Sequence, residues 1–139
     1  MSVLKPLYAT QSADFSSGLN SLANGSVATS IAVDNSSSLM QDYLIEVYVE
    51  GIQAANAFLE VRLAACEDGT SFGTWESAVP LGIIDLSVSP QRAYFSLVGH
   101  GGLFQAPKYF KVLVKNMTGN VLGSPNNTIK HQGIQIQSV

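Results

Sequence analysis

The chain has 139 residues, 46% of them apolar and only 12% charged, with a formal net charge of −3. So apolar a chain is not a disordered one, and its length suits one domain with a real core. The acidic balance excludes a nucleic-acid binder that relies on a basic surface, and no apolar run approaches the roughly 20 residues that span a bilayer.

The opening MSVLKPLYATQSADF lacks the apolar core and small-residue cleavage site of a signal peptide. Synthesis in a reducing cytoplasm is therefore expected, and the single cysteine, Cys66, permits neither an intramolecular disulfide nor a Cys-based zinc site. Leu4, Pro6, Leu7 and Tyr8 form a small apolar cluster ahead of the main pattern. Terminal residues are mobile unless tied down, so this cluster reads as a docking arm for a partner or as an edge strand on the protein's own sheet. Residues 1–15 are set apart on that ground from a single domain over 16–139.

Weak strands are expected over Leu7–Phe15 and Ser26–Val33, the latter anchored by Val27, Ile31 and Val33. Strict period-two alternation begins at Asp42–Gly51, where Tyr43, Ile45, Val47 and Val49 share one face and Leu44, Glu46, Tyr48 and Glu50 the other. Ile52–Ala57 has room for one short helical turn. Ala57–Cys66 alternates again, with Leu59, Val61, Leu63 and Ala65 inward and Phe58, Glu60 and Arg62 outward. Gly82–Ser87 and Gln91–Val98 flank a turn at Ser89-Pro90. Pro107–Asn116 sends Phe110, Val112 and Val114 inward, opposite Tyr109, Lys111 and Lys115. Thr128–Val139 closes the chain, with Gly133 suited to a bulge. Between these lie Gly, Asn, Asp and Ser clusters with turn chemistry, among them Asp34-Asn-Ser36, Glu67-Asp-Gly69 and Gly99-His-Gly-Gly102. Half-buried alternating strands with turns at such spacing predict an all-β antiparallel sandwich or jelly roll of about eight strands.

Charge is unevenly placed. Residues 1–70 hold Lys5 and Arg62 against eight acids, a net of −6, while residues 71–139 hold five bases against Glu76 and Asp85, a net of +3. The imbalance is either chance or complementarity between neighbouring subunits. The 12% charged fraction is also below what an ordinary solvated monomer surface carries. Either small polar groups cover the surface, or part of it is buried in an assembly.

The sequence offers little chemistry. A nucleophile needs a base within reach and a group that orients the base, yet the only histidines are His100 and His131. His100 sits in a glycine-rich turn and His131 beside Gln132, on an expected polar face. Glu46, Glu50 and Glu60 fit a solvated outward face better than a glycosidase pair. Glu67-Asp-Gly69 is a single acidic turn, short of the six or more oxygens a calcium site takes. No enzyme, cofactor or metal is expected. Four N-x-[ST] sequons start at Asn24, Asn35, Asn116 and Asn126 and carry no weight without secretion. Exposed aromatics can stack sugars, which makes Trp75, Tyr48 and Tyr109 candidates for a glycan platform. Otherwise Phe72 and Trp75 pin a loop to the sandwich.

The order of segments resembles that of small β-sandwich structural proteins of tailed bacteriophages, of the sort that decorate or cement the capsid. The residues carrying the resemblance are Leu19-Asn-Ser-Leu-Ala-Asn-Gly25, Asp34-Asn-Ser-Ser37, Asp42–Gly51, Glu67-Asp-Gly-Thr-Ser-Phe72, Pro107–Asn116 and Lys115-Asn-Met-Thr-Gly-Asn120. It spans roughly Asp14 to Gln137. The resemblance implies a virion protein on the outer capsid surface, made in the host cytoplasm, with the major capsid protein and further copies of itself, as dimer or trimer, for partners. Leu4, Pro6, Leu7 and Tyr8 are then the expected docking residues. It supplies no catalytic residue. The alternative is a lectin-like, tail-associated or receptor-binding domain that uses the Trp75 set.

Overall fold

In a computed structural model, the structure describes residues 3–12, 18–50, 54–87, 90–123 and 126–138. They form nine strands: β1 (Leu4–Tyr8), β2 (Val27–Thr29), β3 (Val33–Asp34), β4 (Asp42–Val49), β5 (Phe58–Cys66), β6 (Val79–Asp85), β7 (Gln91–Ser96), β8 (Tyr109–Asn116) and β9 (Thr128–Ser138). One single-turn 3-10 helix, Trp75–Ser77, precedes β6.

The strands lie in two antiparallel sheets, one ordered β1-β9-β4-β7 and the other β2-β8-β5-β6, with β3 also on β8. Following the chain, β4 lies in the first sheet, β5 and β6 in the second, β7 returns to the first, β8 to the second and β9 to the first. Two antiparallel sheets interleaved in this way are a jelly-roll sandwich.

The three alternating strands sit at the centre of their sheets. Tyr43, Ile45, Val47 and Val49 of β4 face Leu59, Val61 and Leu63 of β5 and Phe110, Val112 and Val114 of β8, all buried in one core. β-Branched and leucine side chains at every second position suit this packing, because each strand presents one face to the facing sheet. Gly82 of β6 lets Phe95 of β7 close one side of the sandwich, since a Cβ there would meet the ring at 2.8 Å. At the ends, buried asparagines hold the loops. The amide nitrogen of Asn116 donates to the carbonyls of Leu22 and Asn120, and that of Asn35 to those of Met40 and Pro107. Both asparagines head sequons and are buried in these bonds.

Several expectations are corrected. The strand expected over Leu7–Phe15 is Leu4–Tyr8 instead, and Phe15 lies outside the described residues. Ser26–Val33 divides into β2 and β3. Of the helical turn expected at Ile52–Ala57, the described part is a hydrogen-bonded turn with Asn56 at φ +64°, and the rest lies outside the described residues, as does Ser89 of the Ser89-Pro90 turn.

Ala65 is exposed rather than buried, because it lines the cavity at the open end of the sandwich. Ala64 and Leu113, on the outer face, are buried instead, covered by Phe72 and Trp75. Gly133 makes no bulge, since β9 keeps unbroken register with β4 and β1. It is bare because a Cβ would stand 2.7 Å from Met40 Cγ. His131 faces inward with the Ile45 side of β4 and meets the Tyr43 ring edge-on at 5.6 Å. Burial lowers its pKa.

Glu46 is not solvated. Though on the outer face, it is only 4% exposed. Arg92 donates to it at 2.6 Å from the neighbouring strand and Gln11 at 3.2 Å, and long side chains around it exclude water.

Candidate functional site

The cluster Leu4, Pro6, Leu7 and Tyr8 is brought together on β1, the edge strand of the first sheet. Every side chain of β1 is exposed, Leu4 by 71% and Tyr8 by 58%. Register with β9 puts Leu4, Pro6 and Tyr8 on the outer face beside Ile134 and Ile136, and Lys5 and Leu7 on the other. Neither face of β1 is covered, so the strand is held by its backbone ladder to β9.

The ladder explains how a proline fits. The Ala9 N–H donates to the Gly133 carbonyl, so every second residue back from Ala9 bonds β9 and the intervening ones turn their backbone outward. Pro6 is one of the latter, and the N–H of its partner Ile136 goes to Gln41 Oε1 instead. The missing donor of Pro6 therefore lies on the free edge, where a further strand would need it.

The expected glycan platform does not assemble. Trp75 and Tyr109 border the outer face of the second sheet, while Tyr48 lies on the outer face of the first. Tyr48 packs under Arg92 at 4.6 Å and donates to Glu50 at 2.6 Å. Trp75 carries the Arg62 guanidinium 4.3 Å from its ring centre, and Arg62 is locked by Glu60 and by the Trp75 carbonyl. What remains is a shallow groove of about 440 Å3 lined by Phe72, Trp75, Lys111 and Leu113. Lys111 sits 4.5 Å from the Phe72 ring centre.

The remaining chemical candidates are structural. The His100 Nδ1 accepts the Ser96 N–H at 2.8 Å and closes its own turn. Glu46 lies on β4 of the first sheet with Glu50 just past its end, and Glu60 lies on β5 of the second sheet, so Glu60 faces away from the other two. Asp68 takes the N–H groups of Thr70 and Ser71 and the Ser71 hydroxyl, which together hold its carboxyl far below the usual range. Cys66 Sγ accepts the Gly69 N–H at 3.1 Å in the same turn. Among the described residues no three His, Cys, Asp or Glu side chains are placed to hold a metal.

Sequence reasoning missed a cavity of about 640 Å3 at the open end of the sandwich. The loops over residues 35–41 and 103–108 form its walls, with Ala65 and Glu67 from the end of β5. At its rim Phe104 is 97% exposed and Leu39 is 67% exposed. Leu39 also holds φ at +53°, a conformation that costs a leucine about 1 kcal/mol or more. The one local sign was the pair Leu103-Phe104, apolar residues inside a turn-rich segment.

No protein-family model matches the sequence, and no curated protein does. Among solved structures, one described as Desmodium yellow mottle tymovirus overlaps 99% of this chain and 87% of its own, at 14% identity and a TM-score of 0.42.

Proposed function

We infer that the chain is a structural virion protein, specifically a capsid decoration or cement protein. In this reading it binds the outer surface of a shell built by a major capsid protein and works as a homo-oligomer. It is made in the host cytoplasm, residues 1–15 serve as the docking arm, and residues 16–139 form the body. One observation carries the reading, namely that β1 presents Leu4, Leu7 and Tyr8 to solvent with no side chain buried. Leaving such side chains wet forgoes about 1.5–3 kcal/mol each, which burial against a shell recovers. The low charged fraction of 12% agrees with a surface that works inside an assembly. Jelly rolls serve viral shells and lectins alike, so the fold is compatible with this reading without choosing it.

The test is co-sedimentation with undecorated shells. The triple variant Leu4→Ser, Leu7→Ser, Tyr8→Ser should unfold at nearly the wild-type temperature, since none of these side chains is buried, but should lose shell occupancy. Removal of residues 1–8, which also strips the β1–β9 backbone ladder, should likewise lose shell occupancy. Full occupancy by both would eliminate β1 as the docking element.

The groove beside Phe72 and Trp75 favours a second reading, a glycan-binding tail-associated domain. Glycan binding that disappears in Trp75→Ala, with no shell binding by the wild type, would establish it instead.

A further inference from the structure

We propose that the open end of the sandwich is a two-fold contact surface for a second copy of this chain, each copy seating Phe104 in the other's cavity. The proposal rests on the homo-oligomer part of the functional reading and names the surface that part leaves open.

The patch carries both halves of a self-complementary contact. Phe104 projects from the rim, 97% exposed. Beside it the cavity of about 640 Å3 is walled by Leu39, Met40, Leu103 and Ala106, with ample room for a phenyl ring. A surface with knob and hole side by side meets a copy of itself across a two-fold axis, because each residue pair then occurs twice. Some of the polar groups lining the cavity are already bonded within the chain, the Asn35 amide to Met40, Pro107 and Tyr43 and the Gln41 side chain to the Ile136 N–H.

Charge names the occupant. Glu67 and Lys108 both line the cavity. They follow directly on the register pair Cys66–Tyr109 that ends the β5–β8 ladder. The ion pairs among the described residues are Arg62–Glu60 and Arg92–Glu46, so neither Glu67 nor Lys108 is in one. Lys108 also lies near Asp34 of its own chain, and a two-fold axis passing between Glu67 and Lys108 sets Glu67 of each copy against Lys108 of the other. This complementarity is internal to the patch, so a second copy satisfies it with no other partner. The strained Leu39 fits the same picture, because its left-handed backbone holds an apolar side chain at the rim.

Analytical ultracentrifugation of the full chain over about 1–200 µM, a range that brackets ordinary micromolar association, tests the proposal. The wild type should dimerise. Phe104→Ala should weaken the dimer about a hundredfold or more, since one truncation empties two anchor contacts. Lys108→Glu should weaken it by opposing like charges, and Glu67→Lys with Lys108→Glu should restore it. Circular dichroism confirms that each variant is folded. A trimer, a dimer indifferent to Phe104→Ala, or a charge swap no better than Lys108→Glu alone overturns this surface and leaves self-assembly standing. A monomer throughout overturns both.

Discussion

Replacing Val112 by aspartate is the most direct trial of the assigned strand faces. Val112 is fully buried in the middle of β8. Its N–H is taken by Ser30 Oγ and its carbonyl by the Ser30 N–H, each at 2.9 Å. The backbone is thus satisfied, and the substitution acts through the side chain. It forfeits about 2 kcal/mol of valine burial and places a carboxylate among Val47, Val61 and Leu63 with no partner, which costs several kcal/mol more. The sum, about 5–8 kcal/mol, rivals a whole domain's stability of about 5–15 kcal/mol. Val112→Asp should therefore not fold.

One residue earlier, Lys111 lies on the outer face with its ammonium 4.5 Å from the Phe72 ring centre. Lys111→Asp should cost only about 1 kcal/mol, the worth of an exposed cation–π contact. Leu113→Asp should fall between them, because Leu113 is buried in a small cluster with Ala64 and Ala78 under Phe72 and Trp75 and not in the main core. Urea titration followed by Trp75 fluorescence measures all three. Equal losses for Val112→Asp and Lys111→Asp would refute the assigned faces.

Stability should fall as pH drops through the ordinary histidine range near 6.5. Burial lowers the His131 pKa, so the unfolded chain binds a proton there before the folded one does, and acid favours unfolding until the folded pKa is passed. Urea midpoints between pH 8 and 5 should show this slope, and His131→Gln should flatten it. Arg92→Ala should cost about 1–2 kcal/mol by urea titration. It leaves the Glu46 carboxylate, 4% exposed, with Gln11 still donating to it, and the discount from a fully buried pair reflects the half-exposed Arg92 side chain. Gly101→Ala should lower the melting temperature by several degrees, because a Cβ at that position runs into the Leu97 carbonyl oxygen, which is backbone and cannot swing away. Cys66 is buried, so a thiol reagent should label it slowly in the native protein and at once in urea.

The core was legible in the sequence wherever one physical requirement acted alone. In β4, β5 and β8 every second residue had to be apolar to pack on the facing sheet, and the pattern says so. It misled where a second surface intervened. Ala64 and Leu113 are buried because a distant loop folds over them, and no local alternation records that. Glu46 reads as a solvated residue, yet Arg92 and Gln11, 46 and 35 positions away, close over it. Gly133 is dictated by the Met40 side chain rather than by its own strand. The cavity beside Phe104 is further still from local code, since its two walls meet only after the sheets are stacked. By contrast, the cluster Leu4, Pro6, Leu7 and Tyr8 stood out because it was apolar where burial had no obvious source, and the structure leaves it exposed.

Pro6 bears on what happens when many copies crowd together. A protein concentrated on a surface, or in a cell that makes it in bulk, risks joining edge to edge into endless ribbons, because any bare strand is a template for the next. Here the first sheet ends at β1, whose outward row of donors is interrupted at its centre by a residue that has none to give. A strand arriving from another molecule would find a gap where its register needs a bond, and growth in that direction stops after one layer. Any contact at this edge is left to side chains, whose shapes permit a finite number of neighbours, so Pro6 keeps β1 from becoming the seed of a fibre.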